Sequence, residues 1–319
     1  MKRDTVTVAK FFEIEAKALQ LKLLTGKSGL DRIIREPTVN RPGLVLAGFT
    51  QYFASKRIQV MGYVETSYLK TLSEEEKRKR YTTMFSHKIP CVVYSRSLSP
   101  DPMLLEIAEK HGVPVFDSPL ITMKFINLAT LALEMLFAPK GAELGSMVDI
   151  LGVGVIVRGE SGIGKSECVL ALIERGYSLV SDDVVRVTVI DGNQIVGTGD
   201  DLMREHMEVR GIGIINVAAM FGVKSVRKEK RVDLVVSLKA WEDVKDVNRV
   251  GIDQDMVKIL GVNVPHVVIP VRPGRDLARL VEVAAFQTKL RLSGHNPAED
   301  LNNRLIAKMK KSSDDDEPH

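Results

Sequence analysis

Eight consecutive residues, Gly159, Glu160, Ser161, Gly162, Ile163, Gly164, Lys165 and Ser166, match G-x-x-x-x-G-K-[ST] without a gap. This pattern has a use only between a strand and a helix. Residues 153–157, Val-Gly-Val-Ile-Val, supply the apolar run of a buried strand. Residues 167–175 place Val169, Leu172 and Ile173 at helical spacing before Gly176 stops the helix. The required context is present, which implies an α/β domain that binds a nucleoside triphosphate. The alternative is a glycine-rich turn with an incidental Lys-Ser.

The spacing follows from chemistry. Glycines at 159, 162 and 164 let the backbone curl around phosphate oxygens, so that successive N–H groups point inward as an anion nest. The start of the following helix adds partial positive charge. Lys165 then reaches the β and γ phosphates, and the Ser166 hydroxyl is placed to ligate magnesium.

The chain has 319 residues, of which 45% are hydrophobic and 27% charged. That length suggests two domains. A net charge of +4, not gathered on one face, argues against a nucleic-acid partner. The run Lys77-Arg78-Lys79-Arg80 follows Glu74-Glu75-Glu76 and reads as a solvated helix face with pairs three and four residues apart. Cys91 and Cys168 lack partners at metal spacing, and Cys168 reads as core packing. With no signal region and no apolar stretch long enough to span a bilayer, the expectation is a cytoplasmic protein without a membrane partner.

Along the chain, residues 44–47, 57–62, 91–94 and 113–116 read as strands, and 13–24 and 102–110 as helices. This alternation predicts an N-terminal α/β domain over residues 1–132. It has no nucleotide fingerprint, so its role is regulatory or structural. Residues 118–137 form an apolar helical connector, and residues 133–309 the phosphate-loop domain. That domain starts with strands at 146–150 and 153–157 turned at Leu151-Gly152. Residues 310–319 read as a disordered tail.

Three further clusters are candidate site elements. A short strand over 177–180 ends in Ser181-Asp182-Asp183. One acid there can serve magnesium and the other accept a proton from an attacking hydroxyl; both can equally be loop acids that cap the next segment. Met207, Glu208, Val209, Arg210, Gly211, Ile212, Gly213, Ile214, Ile215 and Asn216 combine an acid, an arginine and two glycines before an apolar run. They read as metal and phosphate ligands or as a plain turn into a strand. Pro270, Val271, Arg272, Pro273, Gly274 and Arg275 form a stiffened loop suited to gripping phosphate, or an exposed basic loop. The basic run 224–231 reads as a docking loop for a protein or as a solvated one.

These stretches, with residues 57–62 and Pro90-Cys91, resemble HPr kinase/phosphorylase over residues 5–305. The resemblance implies an ATP-dependent protein-serine kinase that phosphorylates the phosphocarrier HPr or an HPr-like protein. It also implies a reverse activity that uses inorganic phosphate and releases pyrophosphate. It implies a catalytic domain similar to phosphoenolpyruvate carboxykinase, and a homohexamer. Lys165 looks like the family's loop lysine, Ser166 and Glu208 like its Mg2+ ligands, and Asp183 like the carboxylate that takes the serine proton. Arg249 is similar to an active-site arginine, residues 207–216 to a block shared by both reactions, and residues 270–275 to a dephosphorylation loop.

The chain departs from the family at Leu144, where a histidine is usual. Leucine neither hydrogen-bonds a carboxylate nor shares its proton. Losing a positioned acid/base partner costs about 10²- to 10⁴-fold in rate. The expectation is that nucleotide binding survives and that phosphorolysis is the more affected direction. Two alternatives follow: a nucleotide-binding regulatory sensor with weakened catalysis, and a metabolite kinase that shares only the phosphate-loop domain.

Overall fold

Strands and helices alternate through the first half of the chain because apolar runs of two to four residues are separated by capped helical stretches. The computed structural model describes residues 5–244, 255–296, 304 and 306, and it divides into two units between Ala138 and Pro139. The tail expected over 310–319 and Arg249 lie outside the described residues.

The N-terminal unit runs β1 (Val6–Thr7), α1 (Val8–Glu15), β2 (Lys22–Leu23), β3 (Ile33–Ile34), β4 (Val39–Asn40), α2 (Gly43–Leu46) and β5 (Ile58–Met61). It continues with α3 (Tyr63–Leu69), α4 (Glu74–Ser86), β6 (Val92–Ser95), α5 (Pro102–Lys110), β7 (Val115–Ser118) and α6 (Thr122–Phe137). Its five-stranded sheet has the order β2-β7-β6-β5-β4, parallel except at the β2 edge. Side chains alternate across it with a period of two. Ile58, Val60, Val93 and Phe116 meet Phe11, Phe125 and Leu133 on one face. Met61, Val92, Tyr94 and Val115 meet Leu46, Met84 and Leu104 on the other.

Two sequence expectations fail here. Residues 44–47 are not a strand: they form α2 with Ala47 as its C-cap, and bury Val45 and Leu46 while exposing Leu44. Four apolar residues fit either period, and packing decided. The helix expected over 13–24 lies earlier, at α1, because the Thr7 hydroxyl caps it by accepting from Lys10 N at 3.2 Å. The chain then turns through Gln20 at φ 50° into β2.

The second unit contains β8 (Lys140–Leu144), β9 (Ser146–Ile150), β10 (Val153–Gly159), α7 (Lys165–Glu174), β11 (Ser178–Ser181), β12 (Val184–Ile190) and β13 (Gln194–Thr198). A hairpin of β14 (His206–Val209) and β15 (Gly213–Asn216) leads to α8 (Val217–Phe221), β16 (Glu229–Arg231), β17 (Leu234–Ala240), β18 (Met256–Ile259), β19 (Val262–Val271) and α9 (Leu277–Leu292). The main sheet has the order β11-β9-β10-β17-β19-β18, with β10, β17 and β19 parallel. Val155, Val157, Val236 and Leu238 pack one face against Val169 and Leu172 of α7 and Val281 and Ala285 of α9. Ile156 and Val235 point the other way, to Val185, Val187 and Ile195 of the four-stranded sheet β16-β13-β12-β8. The β9–β10 hairpin turns at Leu151 and Gly152, both at positive φ, as its right-handed strand twist favours.

The basic run 224–231 is not a free loop. Its last three residues are β16, paired with β13, and Arg227 and Lys230 reach the buried carboxylate of Asp149 at 2.6 and 3.6 Å. Cys91 and Cys168 are buried free thiols, and burial pushes the Cys168 thiol up to about 12. Among the described residues no helix is long and apolar enough to cross a membrane.

Candidate active site

The phosphate loop leaves the end of β10 and closes directly into α7, whose N-cap is Gly164 at φ 99°. Glycine is required at two places for different reasons. A Cβ on Gly159 would sit 2.8 Å from Ile163 Cγ2 and 3.0 Å from Leu238 O, so the strand end has no room for one. Gly162 has φ 84°, a left-handed conformation, and lies directly under Arg210. Lys165 Nζ donates to Gly159 O at 2.8 Å and Glu160 O at 2.9 Å, which ties the two ends of the loop together.

Two further stretches converge on this loop. Ser161, Gly162, Gly164, Lys165 and Ser166 share one pocket with Asp183, Glu208 and Arg210. The hairpin supplies the last two by strand alternation. Met207 and Val209 are buried in the core, so Glu208 and Arg210 face outward over the loop. Arg210 Nη2 donates to Ser161 Oγ at 3.3 Å. Gly211 and Gly213, both at positive φ, turn the chain back into β15.

Of the two adjacent acids, Asp183 lines the pocket and Asp182 does not. Asp182 is a structural clamp. Ser146 Oγ donates to its Oδ1 at 2.6 Å, and the backbone N–H of Glu208 donates to its Oδ2 at 3.1 Å. This carboxylate therefore fixes the hairpin to the strands that carry the phosphate loop. Burial raises its pKa, against the lowering effect of those two hydrogen bonds. Asp183 is exposed at φ 61°, and its carboxylate has no hydrogen bond or ion pair among the described residues. Its carbonyl accepts from Gly145 N at 2.8 Å, which fixes the backbone and leaves the side chain available.

The chain matches two family models, HPr Serine kinase N terminus over residues 6–133 and HPr Serine kinase C-terminal domain over residues 135–305. It belongs to the HPr serine kinase family. It is 41% identical over 302 residues to HPr kinase/phosphorylase of Leptospira biflexa, covering 94% of each chain. To HPr kinase/phosphorylase of Bacillus subtilis it is 40% identical over 285 residues, 89% of this chain and 92% of that one. A solved structure of the Hpr(Ser) kinase/phosphatase from Coxiella burnetii covers 52% of this chain and 98% of its own, at 32% identity and a TM-score of 0.46.

Not every family-like residue reaches the pocket. In the 207–216 block, Ile215 packs against the core, and Asn216 caps α8 by accepting from Ala219 N at 2.8 Å. Ile212 in the hairpin turn and Ile214, the register partner of Glu208, are 73% and 67% exposed. The loop expected over 270–275 is shorter: Pro270 and Val271 are the last residues of β19, paired with Lys239 and Ala240, and only residues 272–275 leave the strand, lining no part of the pocket. It is braced internally by Arg275 Nη1 donating to Pro270 O at 3.0 Å, and Gly274 turns it at φ 77°. Arg272 lies 3.2 Å over the ring of Trp241, a partner that sequence reasoning missed because it follows a different strand. Leu144 is 77% exposed and pairs in register with Val184, the neighbour of Asp183.

Proposed function

We propose that this protein is an ATP-dependent protein-serine kinase acting on HPr or an HPr-like phosphocarrier in the cytoplasm. In the reverse direction it removes the phosphoryl group with inorganic phosphate and releases pyrophosphate. The reading is supported above all by the convergence of Asp183, Glu208 and Arg210 on one phosphate loop from two separate segments. Relatives at about 40% identity carry that activity in their names.

The loop amides and Lys165 cradle the triphosphate tail, with the ammonium turning from Gly159 O and Glu160 O to the β and γ phosphates. Asp183 takes the proton of the substrate serine as its oxygen attacks the γ phosphorus and ADP leaves. In reverse, a phosphate oxygen attacks the phosphoserine phosphorus, the bond to the serine oxygen breaks, and Asp183 returns the proton to that oxygen. Arg210, parked on Ser161 Oγ, is placed to offset charge on the transferring group. Arg272 and Arg275 are assigned a phosphate-binding role in the reverse reaction, and Arg249, outside the described residues, a catalytic one by its resemblance to the family's active-site arginine.

The residues present fit magnesium. Among the described residues no group of three or more His, Cys, Asp or Glu side chains forms a metal site. Magnesium in such enzymes takes only one or two protein ligands and completes its shell with phosphate and water. Ser166 and Glu208 would hold it, and when bound it would withdraw charge from the β and γ phosphates. Exposed Ile212 and Ile214 beside the pocket suit a protein substrate, and we propose the homohexamer that the family resemblance implies. The test is phosphoryl transfer from ATP and magnesium to the serine of purified HPr, followed by addition of inorganic phosphate. Label on a metabolite with none on HPr would overturn this reading.

A further inference from the structure

One cavity of the N-terminal unit is lined by Arg32, Arg35, Lys56, His87 and Lys88, with Asp31 the one acid in its lining. Among the described residues, Arg32, Arg35, Lys56 and Lys88 have no carboxylate at ion-pair distance. Neighbouring arginines of the same unit are paired: Arg57 with Glu36 at 2.5 Å and Arg41 with Glu65 at 2.8 Å. Unpaired cations gathered around a concave surface raise its potential and concentrate anions there.

Two details mark the cavity as built. Arg32 is held rigid by the backbone, with Nε donating to Ile89 O at 2.8 Å and Nη1 to Gly112 O at 3.3 Å. Its charge is half-buried, and the loss of hydration lowers its pKa. Lys88 sits at φ 55°, directly after the C-cap of α4. A side chain in that conformation costs about 1 kcal/mol relative to glycine, and the negative end of the α4 dipole offsets part of that cost for a cation. An adjoining cavity shares Ile33, Arg35 and Lys56 and continues onto Thr5, Val6, Phe137 and Glu36, whose carboxylate is taken by Arg57, a mixed surface with apolar side chains for an organic moiety.

We propose that this cavity binds a small phosphate-bearing organic anion, with Arg32 and Arg35 gripping phosphoryl oxygens while Lys56 and Lys88 neutralise the remaining charge. A single carboxylate would offset only one of the four cations. A phosphoryl group carries up to two charges and three acceptor oxygens, which suits two guanidinium groups. This site is independent of the reaction assigned to the phosphate loop.

The test is lysine acetylation of the full chain, read by mass spectrometry, with tripolyphosphate as the probe at constant ionic strength. At about ten times the dissociation constant, acetylation of Lys56 and Lys88 slows about tenfold. The exposed lysines Lys22 and Lys79 keep their rates. Lys165 reports the phosphate loop in the same spectra, and in Lys165→Ala the protection of Lys56 and Lys88 persists. Arg35→Gln, at an exposed position, weakens that protection about tenfold, as expected for one charge-assisted hydrogen bond. The proposal is overturned if Lys56 and Lys88 react equally fast with and without millimolar tripolyphosphate. Slowing shared equally by Lys22 and Lys79, or protection unchanged in Arg35→Gln, overturns it too.

Discussion

In the N-terminal unit the carboxylate of Glu65 is 2% exposed and fully occupied: Arg41 donates to it at 3.0 and 2.8 Å and Gly62 N at 2.9 Å. In the second unit Asp182 is occupied in the same manner, by Ser146 and the Glu208 amide, but one of its partners belongs to the hairpin that lines the phosphate-loop pocket. Asp183, one residue on, has an open carboxylate. A saturated carboxylate holds segments together, and an unsaturated one beside a phosphate loop is available for proton transfer. The same functional group thus has three uses, and its partners decide which: Glu65 joins two stretches of a scaffold, Asp182 joins scaffold to site, and Asp183 is free to react.

The sharpest way to break this distinction is Asp183→Asn. Losing the proton acceptor lowers kcat by about 10²- to 10⁴-fold, with little change in melting temperature, because no structural bond is lost. Undiminished turnover would remove Asp183 from the reaction. Asp182→Ala is expected to act on both quantities. Orphaning the Ser146 hydroxyl and the Glu208 amide costs about 1–3 kcal/mol of stability, and a loosened hairpin lowers kcat/KM roughly tenfold or more. Calorimetry beside steady-state kinetics separates the two residues.

Asp182 also predicts a pH dependence. Its folded pKa is raised, so the folded state binds the proton more readily than the unfolded chain. The cost of keeping this group ionised is present above the folded pKa and is relieved as pH falls through it toward the unfolded value near about 3.9. Function runs the opposite way. A protonated Asp182 loses an acceptor for either Ser146 or the Glu208 amide, so kcat/KM falls on acidification, with an apparent pKa above the ordinary carboxylate range. A profile flat down to that range would separate hairpin anchoring from Asp182.

The phosphate loop and its flanking elements are legible because all their constraints are local: glycine dihedrals, an apolar strand and a helix start lie within a single stretch. Asp182 and Asp183 are legible as a pair, but their division of labour is not. It depends on Ser146 from β9 and a backbone N–H from β14, which meet Asp182 only after the sheet has formed. For the same reason residues 207–216 are visible as a block, while the split into outward Glu208 and Arg210 and inward Met207 and Val209 needs the hairpin register. Short apolar runs such as 44–47 fit a helix or a strand equally well, and there the tertiary packing of Val45 and Leu46 decides.

Glu65→Gln tests the scaffold side of the comparison. The amide keeps the shape and loses the charge that Arg41 faces, and Arg41 is 42% exposed, so solvent screens part of the loss. Stability falls by about 1–2 kcal/mol, and kcat stays at its original value below the transition. A drop in kcat with stability intact would mean that Glu65 serves the reaction and that the distinction between the carboxylates is wrong.

The smallest effect expected is a gain, from Leu144→His. The side chain is largely in solvent on β8, and its register partner Val184 follows Asp183, so the imidazole enters without a packing cost, within about 0.5 kcal/mol. An unperturbed imidazole titrates near about 6.5 and so exchanges a proton at neutral pH. Phosphorolysis of phosphorylated HPr, which needs a proton delivered to the serine oxygen, rises several-fold, and the forward reaction rises less. Equal rates in both directions for the variant and the natural protein would show that Asp183 works without a partner at this position. The open carboxylate would then be sufficient as the chain presents it.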